Sequence, residues 1–272
     1  MQKIAIIAAF IFTLSACQKI INIDLNSSNP TIVIEAGLTD LPLPAQVKLS
    51  LTTDYFNPSY PKTVSGAVVT ISDDANITET LKEISPGLYQ TAANFQGVGG
   101  HTYFLNVQSN GKTYTSQSNL NKPIPLDSLT YQLDPTPRGV GKIRYLVLAH
   151  FNDPIGKGNA YRFLTQIKQA QASTDTSNAK PDLSYRLFSD RLQDGEKITY
   201  QIRRAIELND TMQVTMLSFD QKVYDYYNTL NAITGGQQAA SAAPSNPNSN
   251  ITGGALGYFA AFSVNIKSIV AK

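Results

Sequence analysis

The chain has 272 residues with 22 basic and 20 acidic side chains, and its formal charge of +2 is spread without a block of like charges. This excludes the concentrated basic surface that nucleic-acid binding needs, and a single cysteine excludes a disulfide framework. Only 15% of the residues are charged, and Thr, Ser, Asn, Gln, Tyr, Gly and Pro are abundant, which indicates a β-rich protein with many turns.

Residues 1–16 have the pattern of a secretory signal peptide, with Lys3, an apolar run of eleven residues from Ile4 to Leu14, and small residues after it. As a helix this run would be roughly 16 Å long, against a hydrocarbon core of about 30 Å, so it is too short to serve as a membrane anchor. We therefore predict that residues 1–16 are removed, which leaves 256 residues and a charge of +1.

The sequence Leu14-Ser15-Ala16-Cys17 resembles the lipobox of bacterial lipoproteins, in which the cysteine is acylated and becomes the first mature residue. Cys17 is therefore the predicted lipid attachment site, and residues 17–26 are the predicted lipidated tether. The alternative is an ordinary signal peptide cleaved near Ala16. Attachment by two or more acyl chains is stable, and no other segment approaches the roughly 20 apolar residues of a spanning helix.

The region 27–121 shows short alternating segments separated by turns. Asn110-Gly111 is a hairpin signal, and Pro86-Gly87 marks another turn. The predicted strands lie at 31–38, 46–51, 66–74, 100–107 and 113–116, with a further strand start at 88–90. This spacing predicts an immunoglobulin-like or transthyretin-like β-sandwich, although the tryptophan and paired cysteines of antibody domains are absent.

After a proline-punctuated connector at 122–128, residues 122–272 are predicted to form a second, mainly β domain. Its predicted strands lie at 142–152, 160–168, 197–206, 213–217 and 256–270. One short α-helix is predicted near 219–233, because Ser218 and Gln221 match a capping box and Gly235-Gly236 would end the helix. Its tyrosines are interpreted as packing residues.

No motif for catalysis is recognisable. His101 and His150 are the only histidines, without metal-ligand spacing or a Gly-x-Ser-x-Gly elbow, so we interpret them as hydrogen-bonded strand residues. Asp73-Asp74-Ala75-Asn76 lacks the spaced ligands of a calcium loop and is interpreted as a turn. We expect no catalytic residue, no metal and no cofactor.

The segment 244–259 is rich in Asn, Gly and Ser and ends in two aromatic residues. Asparagine and glycine tolerate left-handed backbone, so the segment is interpreted first as a tight return into the last strand. A contact surface is the alternative, with these candidate partner contacts: Asn250, Gly253, Gly254, Tyr258 and Phe259.

Several short motifs in this order resemble a family of Bacteroidetes lipoproteins known as domain of unknown function four-two-four-nine. The motifs are the lipobox, Ile23 to Leu25, Ile32 to Gly37, Ser65 to Val69, Pro86 to Tyr89, Gly111 to Tyr114, Asn152 to Pro154, Gly158 to Arg162, Asp194 to Glu196, Tyr224 to Tyr227 and Asn250 to Gly254. Ala160 departs from the family's tendency to carry an aromatic residue there. The resemblance implies an outer-membrane lipoprotein that is typically encoded beside a TonB-dependent receptor and has no established catalytic activity.

The leading hypothesis is therefore a noncatalytic accessory or substrate-capturing subunit of a TonB-dependent transport system. Its expected partners are outer-membrane lipid, through acylated Cys17, the receptor, and a peptide or glycan ligand held by some of the 14 tyrosines. The alternatives are a free-standing binding or structural lipoprotein of the cell envelope, and a hydrolase whose residues meet only in the fold. We expect the periplasmic face of the outer membrane rather than the cell surface, because Gln18 to Ile21 contains no acidic residue.

Overall fold

The computed structural model describes residues 30–53, 60–135, 143–170, 187–234 and 246–272. The predicted signal peptide, Cys17 and the tether lie outside these residues. Within the described part of the chain, no helix combines the length and apolar character needed to cross a bilayer.

The described residues form fifteen β-strands and one α-helix. The strands of the first half are β1 (Ile32–Thr39), β2 (Gln46–Leu51), β3 (Val68–Asp73), β4 (Thr78–Thr80), β5 (Lys82–Ser85), β6 (Leu88–Gln90), β7 (Thr102–Ser109) and β8 (Lys112–Asn119). The second half contains β9 (Leu126–Leu133), β10 (Arg144–Asn152), β11 (Ala160–Lys168), β12 (Leu187–Ser189), β13 (Lys197–Glu207), β14 (Thr211–Phe219), α1 (Gln221–Thr234) and β15 (Leu256–Val270).

These strands form three sheets, so the mainly β prediction is confirmed. The largest sheet has eight strands in the order β12-β11-β14-β15-β1-β2-β6-β5. A four-stranded sheet has the order β4-β3-β7-β8, and a three-stranded sheet has the order β13-β10-β9. The strand pairs are antiparallel except for β1 with β15, which is parallel.

Strand β15 joins the two halves of the chain within the large sheet. Its first part pairs with β1, from Val33 opposite Leu256 to Thr39 opposite Phe262. Its second part pairs with β14, beginning where Ser218 lies opposite Ser263. The division predicted at residues 121 and 122 stays a prediction, but the last strand belongs to the architecture of both halves.

Two hydrophobic cores lie between the large sheet and the smaller ones. The first buries the alternating residues of β1 and β2 against β3 and β7, through side chains such as Ile34, Leu49, Val69 and Leu105. It also takes in Phe259 from β15. The second core is built in the same way from strands β9 to β11, β13 and β14. Two sheets facing each other across a core are what a sandwich requires, while the immunoglobulin-like or transthyretin-like topology stays a prediction.

The helix α1 packs on the other face of β15. Val223, Tyr226 and Tyr227 are buried at helical spacing and form a cluster with Phe219 and Ala260. Because successive side chains of a strand point to opposite faces, Ala260 faces the helix while its neighbours Phe259 and Ala261 face the first core. The interpretation of the helix tyrosines as packing residues is confirmed for these two.

Candidate functional site

A polar cleft lies where the two halves of the chain meet. Three segments line it, namely 117–121 at the end of β8, 157–159 in the loop before β11, and 220–222 at the start of α1. Its volume is about 310 Å³. This lies at the lower end of the range for small-molecule sites.

Asp220 organises the cleft by joining three elements. One carboxylate oxygen accepts the backbone N–H of Val223 at 3.1 Å and so caps α1. The other oxygen accepts the hydroxyl of Ser118 at 2.7 Å and the N–H of Asn119 at 2.9 Å. The Ser118 oxygen accepts the N–H of Ala261 at 3.0 Å, so β8, α1 and β15 are tied together.

The prediction that Ser218 caps the helix is wrong. The Ser218 side chain is buried and its Oγ accepts a hydrogen bond from Nδ2 of Asn121 at 3.1 Å. The same Asn121 nitrogen contacts the carbonyl oxygen of Phe219 at 3.2 Å and Oδ1 of Asn159 at 3.4 Å. Asn121 thereby fastens the connector between the two halves to the segment that enters the helix.

The charge of the cleft is set by two lysines. Lys157 and Lys222 line it from different elements, and both are exposed. Asp220 is the one carboxylate among the described residues that line the cleft, and both of its oxygens accept hydrogen bonds from the protein. Among the described residues neither lysine has an ion-pair partner. The carboxylates of Asp190 and Asp194 lie behind the loop that carries Lys157, because they accept N–H groups of Gly158 and Gly156.

A second depression of about 360 Å³ adjoins the first, because Lys222 lines both. Its other side is the segment 248–252, which contains Asn250. The side-chain amide of Asn250 donates to the carbonyl of Phe259 at 2.8 Å, and its Oδ1 accepts the N–H of Phe259 at 2.9 Å. This side chain therefore closes the loop that leads into β15.

The other candidate contact residues belong to the same loop or to the start of β15. Gly253 has φ +84°, and its backbone lies so close to Thr113 that an added Cβ would be 2.6 Å from the Thr113 oxygen. The ring of Tyr258 lies 4.8 Å from that of Tyr226. Gly254, with φ +83°, faces open space. Phe259 is fully buried, so any partner contact of this loop falls to the other residues, and that role stays a prediction.

Both histidines are hydrogen-bonded within or beside strands, as interpreted. His101 Nδ1 lies 2.7 Å from a carboxylate oxygen of Asp74. The pKa of Asp74 is lowered, first by the hydrogen bond it accepts from the N–H of Thr102 and then by His101. His150 contacts the hydroxyls of Thr130 and Thr199 at 2.7 and 3.1 Å.

The Asp73 segment has the geometry of a turn, which agrees with its interpretation. Its carboxylate accepts the N–H groups of Ala75 and Ile77 at 3.1 and 2.8 Å. Asn76 follows with φ +64°, a left-handed conformation that asparagine tolerates.

An acidic cluster that the sequence analysis missed lies near the cleft. Oxygen atoms of Asp153, Asp190 and Asp194 fall within 4.8 Å of one another. Although Asn152 to Pro154 and Asp194 to Glu196 appear among the family motifs, their meeting depends on two loops separated by about forty residues. The spacing of these aspartates in the sequence therefore does not predict the cluster.

The three carboxylates hold the two loops together. Asp153 accepts the hydroxyl of Tyr161 and the N–H of Gly195, the latter at 3.0 Å. Asp190 accepts the N–H groups of Gly158 and Asn159, each at 2.9 Å. Asp194 accepts the N–H of Gly156 at 2.8 Å. Carboxylates are suitable cation ligands, but each of these three already accepts a backbone N–H group. We call Asp153, Asp190, Asp194 and Tyr161 the clamp, and holding the two loops together explains why its carboxylates lie close to one another.

Burial controls the protonation of this clamp. Desolvation raises the pKa of Asp153, and the hydrogen bond from Tyr161 partly offsets that rise. Burial also raises the pKa of the Tyr161 hydroxyl, as does its bond to the Asp153 carboxylate. The Tyr161 hydroxyl therefore keeps its proton and donates a hydrogen bond to Asp153 in the folded protein.

The described residues form a mainly β protein with an open depression between its two halves, which is lined by polar side chains and two lysines. The chain belongs to the family described as domain of unknown function (DUF4249), whose model matches residues 18–268. No curated protein matches the chain.

Proposed function

We propose that this protein is a noncatalytic lipoprotein of the outer membrane that binds a ligand and serves as an accessory subunit of a TonB-dependent transport system. The observation that carries the proposal is the lipobox ending at Cys17. A short tether after an acylated cysteine would hold the folded part of the chain close to the membrane that contains the receptor.

The geometry supports a binding role rather than a chemical one. The cleft is lined by amide, hydroxyl and lysine side chains, while the carboxylate of Asp220 is already engaged in capping and bridging. The bonds of Asp220 and Ser118 fix the cleft on three elements at once. Such a preformed surface suits the capture of a ligand without a large rearrangement.

The anchor is tested by the intact mass of the protein purified from outer membranes. We expect a mature chain that begins at Cys17 and carries acyl groups, and we expect Cys17→Ser to leave the membrane fraction. An unlipidated chain cleaved near Ala16 would contradict the proposed anchor.

The receptor is tested by affinity purification from detergent-solubilised outer membranes, followed by mass spectrometry. The tag should follow Lys272 through a flexible linker, because the backbone of Lys272 is hydrogen-bonded to the hydroxyl of Tyr131. We expect a TonB-dependent receptor in stoichiometric amount with the wild-type chain and much less with Cys17→Ser. Recovery of the lipoprotein alone would favour a free-standing envelope protein.

A further inference from the structure

The polar cleft between segments 117–121, 157–159 and 220–222, called the junction cleft below, is lined by side chains with polar groups. Every described side chain that lines it is an amide, a hydroxyl, a lysine or a carboxylate, and the remaining residue is Gly158. A depression with apolar side chains, Ile124 and Ile155 among them, adjoins the cleft at Asn121 and Asn159. The lining of the cleft itself favours the polar groups of a ligand.

Several side-chain amides of the lining use one of their two polar atoms in internal hydrogen bonds and leave the other available to a ligand. Asn121 uses its Nδ2 for internal contacts, and Gln221 donates its Nε2 to Asp225 at 2.8 Å. Asn119 accepts the hydroxyl of Thr102 through Oδ1 at 3.0 Å. Among the described residues, the remaining oxygen or nitrogen of these amides has no internal partner. Such donors and acceptors side by side match the hydroxyl groups of a sugar.

The charge adds a second requirement. Lys157 and Lys222 approach the same cleft from a loop and a helix, and the nearby carboxylate of Asp220 is occupied by hydrogen bonds. Hydrogen bonds from lysine to a carboxylate are about twice as strong as neutral ones. A carboxylate on the ligand would be attracted by both lysines, and a neutral sugar would not.

We infer that the junction cleft binds an oligosaccharide that carries carboxylate groups, with Lys157 and Lys222 bonding the carboxylates and the amides bonding the hydroxyls. The adjoining depression shares Lys222 and gives such a chain room to extend past one sugar unit, and because Asp225 also lines it, the unit placed there would present its hydroxyl groups. This inference rests on the binding role proposed above and names its ligand class, but it needs no receptor.

The test is titration calorimetry of the full chain, purified in detergent, with trigalacturonic acid as the probe. The matched probe is the methyl ester of the same trisaccharide, which keeps the hydroxyls and removes the charges. Lys157→Gln with Lys222→Gln is the test variant. Lys82→Gln with Lys267→Gln is the control, because it makes the same charge change at exposed lysines outside the cleft.

We expect the acid to bind at least about tenfold more tightly than its ester, and the cleft variant to lose at least about tenfold in affinity, since charge-assisted bonds are involved. The control variant should bind like the wild type, and added salt should weaken binding. Equal binding of acid and ester, no binding of either, or an unaffected cleft variant would overturn the inference. Displacement of the probe by equimolar inorganic phosphate would overturn it too, because the site would then be a simple oxyanion site. None of these results decides whether a receptor copurifies with the protein, so the two proposals fail separately.

Discussion

Asn250 takes the place of a missing strand beside Phe259. Its side chain donates to the Phe259 carbonyl at 2.8 Å and accepts the Phe259 N–H at 2.9 Å. Two residues further along β15, the Ser118 hydroxyl accepts the N–H of Ala261, and at Ser263 the pairing with β14 begins. The edge of the last strand is thus satisfied by one side chain, then another, then a strand.

Asn250→Ala should destabilise the protein, because it leaves two buried backbone groups of Phe259 without partners. The expected cost is about 1–3 kcal/mol for each group left unsatisfied. Chemical denaturation measures it. Asn248→Ala, in the same segment but exposed, is the control and should change stability by no more than about 0.5 kcal/mol. Equal stability of the two variants would contradict the role of Asn250.

Gly257→Ala should be among the most damaging substitutions in the chain. Gly257 has φ +101°, and a Cβ there would lie 2.0 Å from the carbonyl oxygen of Ile34 in the neighbouring strand. We expect a loss above about 3 kcal/mol, or failure to fold. Gly254→Ala, also at positive φ but in open space, should lose only about 1–2 kcal/mol in thermal unfolding. Equal losses would contradict the close approach at Ile34.

Ser118→Ala should weaken the junction, because it leaves the N–H of Ala261 unpaired and removes one donor from Asp220. The expected loss is about 1–3 kcal/mol of unfolding free energy. Ser268→Ala, at an exposed position of β15, should be nearly neutral. A neutral Ser118→Ala would show that the bridge contributes nothing to the attachment of the two halves.

Tyr161→Phe should destabilise the buried clamp by about 1–3 kcal/mol, because Asp153 loses a donor. The same bond lowers the pKa of Asp153, so its loss should raise that pKa further. Because the pKa of Asp153 is higher in the folded protein than in the unfolded chain, the free energy of unfolding falls as pH rises above 3.8. The fall should be larger in Tyr161→Phe, so the difference in stability between wild type and variant should grow above that pH. Tyr60→Phe, at a side chain 97% exposed, is the control. A deficit that shrinks with rising pH would contradict this account.

Glu83 should stabilise the protein except in strong acid. Its carboxylate accepts the N–H groups of Gly66 and Gly87 at 3.0 and 2.8 Å, and these bonds lower its pKa from 4.5 to about 2. Because the folded pKa is depressed, the contribution is present above pH 4.5 and is lost as pH falls towards 2. The stability difference between wild type and Glu83→Gln, followed by denaturation across this range, should shrink with acidification. A difference that is constant with pH would contradict the assignment.

The elements that could be predicted are those whose own residues favour a strand or a helix. Residues 160–168 and 256–270 consist of residue types that favour strands, and both strands have the predicted bounds. The helix begins at Gln221 and ends at Thr234, close to the predicted 219–233. Strand β9, Leu126–Leu133, was not predicted, because Pro123 and Pro125 made its start read as part of a connector.

The cleft and the clamp could not be predicted, because their parts are distant in the chain. Asp220 meets Ser118 across a separation of 102 residues, and Gly195 meets Asp153 across 42. The helix cap illustrates the reason. Ser218 had the right local spacing for a cap, but tertiary packing buried it as an acceptor for Asn121 and left the cap to Asp220.

The most direct test of the central claim is transport through the TonB-dependent receptor that we expect to copurify with the chain. Uptake should be compared between cells that lack the lipoprotein and cells that carry the wild-type chain or the Cys17→Ser chain, with receptor abundance held equal. The account predicts that deletion reduces uptake, that the wild-type chain restores it and that the Cys17→Ser chain does not. Normal uptake in the absence of the lipoprotein would contradict the proposed accessory role.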